Sequence, residues 1–181
     1  MTRYLLADTH FGDPDVLSYT DRPFGSLAEM NDALVAGWNG AVDADDTVVF
    51  VGDFAVPSEP TTVRRWLHRV AGDVVFVAGD HDEGARRTRA VSVRASYSLE
   101  VGDRTLHCVH DPADAPPDHE GWVVHGHHHD MRPDAYPFVD PDARRANVGV
   151  ELLDYLPIPV TELAGFLDRG TYLAERPRRE S

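Results

Sequence analysis

The chain has 181 residues, 42% of them hydrophobic, which suits one compact domain with a sizeable core. Its 31 acidic residues outnumber 17 basic ones, all of them arginine, for a formal net charge of -14. Such a surface repels a phosphate backbone and favours a small or locally gripped substrate, with nucleic acid a less favoured partner. No apolar run approaches the roughly 18 residues of a membrane span, and the amino-terminal stretch lacks a secretory leader, so a cytoplasmic protein is expected.

In chain order, "YLLA" reads as a strand that ends at Asp8, Thr9 and His10. "SLAEMNDALVAGWNGAV" sets Leu27, Met30, Leu34, Trp38 and Ala41 at helical spacing behind a Ser26–Glu29 capping box. "TVVFV" (47–51) and "VVFVA" (74–78) are short buried strands, and "TTVRRWLHRVA" between them is an amphipathic helix; together they form a strand–helix–strand unit. "VRASYSLEV" and "RTLHCVH" form a hairpin about Val101, Gly102 and Asp103. "WVVH" and "ANVGV" are further strands, and "VTELAGFLDRG" is a helix closed by Gly170. A single domain over 1–170 followed by a polar, frayed tail over 171–181 is expected. The lone Cys108 excludes an intrachain disulfide and reads as a small buried hydrophobe.

Four apolar runs pass directly into acid or imidazole: "VVFVGDF", "VVFVAGDHD", "LHCVHD" and "WVVHGHHHD". In an α/β protein such strand ends gather at one edge of the sheet. Asp8, His10, Asp53, Asp80, His81, Asp82, His110, His127, His128 and His129 are therefore expected to converge. So many carboxylates and imidazoles in one partly dry cleft require cations, and their number suits two ions rather than one. Mixed oxygen and nitrogen donors suit Mn²⁺, Fe or Zn²⁺. Alternation along an extended segment turns His128 away from His127 and His129. Arg22 and Arg132 are weighed as phosphate grips against plain surface charge, His125 is left unassigned, and Asn147 is read as structural.

The ordered set Asp8-x-His10, Gly52-Asp53, Gly79-Asp80-His81-Asp82, His110 and Gly126-His127-x-His129 resembles the calcineurin-like metallophosphoesterase superfamily. The likeness extends, more loosely, to a small prokaryotic and phage branch of undefined substrate through "DRPF", "EMNDALVAGWN", "DDTVVFVGDF" and "NVGVELLDYLP". It implies a four-layer α/β sandwich, two mixed β-sheets packed face to face and flanked by helices. It implies Asp8, His10 and His129 on a first metal, residue 80, His110 and His127 on a second, and Asp53 bridging them. His81 would be the catalytic acid and Asp82 the residue that orients it. The two divalent cations would be Mn²⁺, with Fe, Zn²⁺ or Ni²⁺ as alternatives. The implied reaction is hydrolysis of phosphate esters, diesters before monoesters, by attack of a metal-bridging hydroxide with His81 as general acid. The family has Asn where this chain has Asp80. A nuclease on nucleic-acid ends is the alternative reading, disfavoured because no arginine stripe is evident; a catalytically impaired scaffold is another. A metallo-β-lactamase pattern fails at Met131.

Overall fold

A computed structural model describes residues 1–177, so residues 178–181 of the expected tail lie outside the described residues. The elements in chain order are β1 (Arg3–Leu6), α1 (Val16–Tyr19), α2 (Leu27–Ala41), β2 (Thr47–Val51), α3 (Pro60–Leu67), β3 (Asp73–Val77), α4 (Glu83–Arg87) and β4 (Val93–Arg94). They continue with β5 (Tyr97–Val101), β6 (Arg104–Cys108), β7 (Trp122–His125), β8 (Val139–Asp140), β9 (Arg145–Asn147), β10 (Ile158–Pro159) and α5 (Val160–Asp168). Two mixed five-stranded sheets result, ordered β10-β1-β2-β3-β4 and β5-β6-β7-β9-β8. This is the flanked two-sheet α/β sandwich that the resemblance implies, and one buried apolar cluster draws on both sheets. Among the described residues no helix is long and apolar enough to cross a membrane.

The local chemistry explains the long helix. Ser26 accepts a hydrogen bond from the Glu29 amide (3.2 Å), and Glu29 Oε2 accepts one from the Gly25 amide (2.9 Å). Met30, Leu34 and Trp38 then lie buried on one face, and the Trp38 indole finds a partner in the Ala71 carbonyl (2.9 Å). Cys108 is buried, and burial pushes its thiol up to about 12.

Register is what positions the site. β1, β2 and β3 run parallel with Leu6 beside Phe50 and Val51 beside Val77, so the residues after each strand emerge at one edge. In the other sheet β6 and β7 are parallel with Cys108 beside Val124, which brings His110 next to the Gly126 turn. The sheets meet there, because the Ala7 amide donates to Val148 O (2.9 Å) and His110 Nδ1 reaches Val51 O (2.9 Å).

Two expectations are corrected. The run "VRASYSLEV" splits: Val93–Arg94 joins the first sheet beside Phe76 and Val77, and only Tyr97–Val101 pairs with β6. The break falls at exposed Ala95 and Ser96, which have no apolar face to bury. Residues 171–177 are not frayed. Leu173 bridges Val139 through a pair of backbone hydrogen bonds (2.9 and 3.0 Å), and Arg176 is buried against Glu162 (2.7 Å).

Candidate metal centre

Five of the residues expected to hold cations sit in the left-handed backbone region: Asp8 (φ 59°), His10 (50°), Asp53 (59°), His127 (71°) and His129 (49°). Non-glycine residues rarely adopt it, and each such residue costs on the order of 1–3 kcal/mol unless its surroundings hold it. Here they do. The Asp8 amide donates to Gly52 O (2.9 Å), the His10 amide to Asp53 O (3.1 Å), and the His127 amide to Asp8 Oδ2 (3.1 Å). Asn147, from the far end of β9, donates to the carbonyls of His129 (3.1 Å) and Tyr136 (3.2 Å), fixing the second turn. The strands stop, and a left-handed turn aims each side chain inward.

The side chains form three overlapping groups whose donor atoms lie within 4.8 Å of one another: Asp8, His10, His129; Asp80, His110, His127; and Asp8, Asp53, His110. Asp53 lies between the first two. Its Oδ2 is 3.6 Å from His10 Nε2 and 3.3 Å from His110 Nε2, while its Oδ1 accepts from the His81 amide (2.9 Å). At the second group His127 Nδ1 lies 3.4 Å from Asp80 Oδ2.

The imidazoles carry the chemistry of ligands. His10 Nδ1 is 3.0 Å from Asp13 Oδ2, His129 Nδ1 is 2.9 Å from Glu151 Oε1, and His110 Nδ1 is held by a carbonyl. Tying one ring nitrogen leaves the other as a lone-pair donor. His10 Nε2 and His110 Nε2 are buried with no hydrogen-bond partner, an arrangement that costs free energy unless a cation takes those lone pairs. The donor set therefore fits divalent cations.

The electrostatics agree. Burial opposes ionisation of Asp53, yet the His110 imidazole 3.3 Å away holds its carboxyl below the usual range. Burial would lower His110, but Asp53 and Asp8 push it up to about 10. Burial raises Asp8, against the charges of His129 and His110. The cluster attracts positive charge strongly.

Asp82 bonds to backbone amides rather than to the His81 ring. It is fully buried, Oδ2 accepts from the amides of Asp53 (2.7 Å) and Gly79 (2.8 Å), and Oδ1 accepts from Phe54 (3.0 Å). No hydrogen bond joins it to the His81 ring. Two tight loops leave three backbone donors inside the protein, and one carboxylate satisfies them all. His81 is exposed, its ring 5.6 Å from that of His10, and Asp80 is also exposed. His128 turns away and stacks on Tyr136 at 3.5 Å.

Arg22 is neither a phosphate grip nor surface charge. It is buried, bonded to Glu151 (2.7 Å) and to the carbonyls of Asp8 (2.6 Å) and Thr9 (3.0 Å). Glu151 in turn holds His129. Sequence reasoning missed Glu151 and Asp13, although the stretches "DRPF" and "NVGVELLDYLP" meet in the Arg22–Glu151 pair. Tyr19, whose ring is 5.7 Å from His129, was also missed; the four-residue helix that carries it has no periodicity to detect.

Glycine packing gives a test of the first group. A Cβ on Gly126 would lie 2.5 Å from Asp8 Oδ2 and 2.7 Å from Ala7 Cβ. Gly126→Ala is expected to displace the Asp8 carboxylate and weaken one cation by roughly 10- to 100-fold, read by titration of the stripped protein. Unchanged affinity would show that Asp8 is not a ligand.

No family model matches the sequence. In structure the chain is similar to a protein of unknown function, AQ665 from Aquifex aeolicus, with a TM-score of 0.64 and 18% identity, covering 91% of this chain and 98% of that one. A looser likeness, too loose to bear on function, is to YfcE, a phosphoesterase from E. coli, with a TM-score of 0.42, 16% identity, and 82% and 78% of the two chains covered. In sequence it is 31% identical over 169 residues to the uncharacterized protein MJ1445 of Methanocaldococcus jannaschii, covering 92% of each chain. Similarity of that extent, along nearly the whole of both chains, makes the chain a member of the same family as MJ1445.

Proposed function

We propose that the chain is a phosphoesterase of the calcineurin-like type that works with two divalent cations, Mn²⁺ foremost, and acts on phosphodiesters. The observation that carries this reading is the set of imidazoles with one nitrogen tied and the other turned into a carboxylate cluster. When bound, such a pair of cations supplies Lewis acidity toward a phosphoryl group and a nucleophile at neutral pH.

The chain's own residues supply the rest. Asp8, His10 and His129 would hold one cation, Asp80, His110 and His127 the other, and Asp53 reaches both. The Asp53–His81 amide hydrogen bond fixes the backbone from which the exposed His81 ring offers a proton to the departing oxygen, a role worth about 10² to 10⁴ in rate. A preference for diesters is supported by Arg22, whose guanidinium is committed to Glu151 and to the carbonyls of Asp8 and Thr9 and so is not free to grip a monoester dianion.

The test is hydrolysis by the metal-stripped protein, resupplied with Mn²⁺, Ni²⁺ or Zn²⁺, of a chromogenic diester, a monoester and 2′,3′-cyclic nucleotides. Diester hydrolysis that depends on metal and is lost in His81→Ala supports the reading; two bound ions without hydrolysis of any ester refutes it. Asp80→Asn belongs in the series. Removing that anionic donor is expected to weaken the second cation about tenfold, since ligand charge sets affinity, and to raise turnover at saturating metal. Unchanged affinity would take Asp80 out of the ligand set.

A further inference from the structure

The acidic surface has local reversals, and one of them adjoins the centre in the chain. Residues 84–99 contain four arginines, Arg86, Arg87, Arg89 and Arg94, and no aspartate or glutamate, in a chain of net charge -14. All four are exposed. Among the described residues Arg86, Arg89 and Arg94 make no ion pair, and only Arg87 has a carboxylate nearby, Glu83 at 3.8 Å. A net-charge argument misses this because it averages over the whole surface.

Topology pins both ends of the segment at the site. It begins directly after Asp82, whose carboxylate is fixed to the Asp53 and Gly79 amides. It returns as β4, parallel to the end of β3, with Arg94 paired to Val77 and its carbonyl accepting from the Ala78 amide (2.9 Å). Gly79 and Asp80 follow at once. The Arg94 guanidinium lies over the Tyr97 ring at 5.5 Å, and Tyr97 pairs with Cys108, two residues before His110. Helix α4 is seated by close contact: the Gly84 amide donates to Ser58 Oγ (2.7 Å), and a Cβ there would meet the Ser58 carbonyl at 2.6 Å. The segment is therefore a fixed lip along the second-cation side of the centre.

We propose that this lip is a phosphate track, and that the substrate is a single-stranded oligonucleotide whose scissile diester sits at the metal centre while its neighbouring phosphates lie along Arg86, Arg89 and Arg94. The identification rests on the phosphoesterase reading and deepens it. Guanidinium groups suit phosphate oxygens, and a Tyr97 ring already bearing Arg94 offers a face for an adjacent base. The arginines are distributed over α4, the loop that follows it and β4, which suits a row of phosphates better than the clustered phosphates of one nucleotide. Repulsion from the distant acidic surface is screened within about 8 Å at physiological ionic strength.

The test is fluorescence anisotropy of the full chain with a fluorescein-labelled single-stranded decamer, in EDTA to prevent cleavage, across a salt series. Wild type is expected to bind at low salt. Arg86→Ser/Arg89→Ser/Arg94→Ser is expected to bind at least about tenfold more weakly, with the log–log salt slope reduced by about 2 for three lost phosphate contacts. Arg3→Ser/Arg104→Ser, at the amino ends of β1 and β6 on the opposite edge, should match wild type. No wild-type binding, an unchanged slope in the lip variant, or equal competition by a nucleoside triphosphate overturns the proposal. Because binding is read without metal, a wild type that binds the decamer at the lip yet hydrolyses no ester fails the phosphoesterase reading, and with it the oligonucleotide as substrate, while the phosphate track stands.

Discussion

Asp53→Asn is expected to lower metal-dependent diester hydrolysis by about 10³-fold and to cut the bound cations from two to one. The carboxylate places one oxygen 3.6 Å from His10 Nε2 and 3.3 Å from His110 Nε2, so it is the group that both halves of the centre share. Asparagine preserves shape and an oxygen for the His81 amide but removes the charge. Losing a preorganised charge in such a site costs about 10²–10³ in rate, and loss of a cation adds to it. A variant that keeps two ions and full turnover would remove Asp53 from the centre.

The largest effect on stability is expected from Arg22→Met. Both side chains of the Arg22–Glu151 pair are buried, at 0% and 2% exposure, so removing the guanidinium leaves a carboxylate uncompensated. That loss is about 3–5 kcal/mol, or roughly 10 °C in Tm for a chain of this size, measured by thermal melting. Burial works against the Glu151 charge, but Arg22 and His129 hold its carboxyl down to about 2, from an ordinary 4.5. A depressed carboxyl contributes stability that is complete above the ordinary value and is lost as pH falls from about 4.5 toward 2. The variant should therefore lose most of the wild type's acid-dependent stability across that window. Adding Glu151→Leu is expected to recover much of the Tm without restoring the first cation, because His129 has lost the acceptor that fixes its tautomer. Recovery of both would leave Glu151 with a structural role only.

The strand ends were legible because a run of β-branched residues that stops abruptly at Asp or His marks where a buried strand leaves the core, and parallel register then does the gathering. Asp8, His10, Asp53, Asp80, His110, His127 and His129 all enter the groups that the structure brings together. What the sequence hid depends on contacts distant along the chain. Arg22 and Glu151 are 129 residues apart, and nothing local to either marks it as buried. Asp82 shares a motif with His81, but its environment is set by the amides of a loop on another strand. Val93 and Arg94 continue an apparently single strand run, and only packing decides that they join the other sheet. The arginine lip was hidden by the average charge.

The most direct test of the central claim is equilibrium titration of the metal-stripped chain with Mn²⁺, followed by electron paramagnetic resonance and diester hydrolysis on the same samples. Two ions per chain, magnetically coupled, with hydrolysis appearing as the second binds, is the result the dinuclear centre predicts. Saturation at a single uncoupled ion, or hydrolysis that persists in the stripped chain, would contradict it.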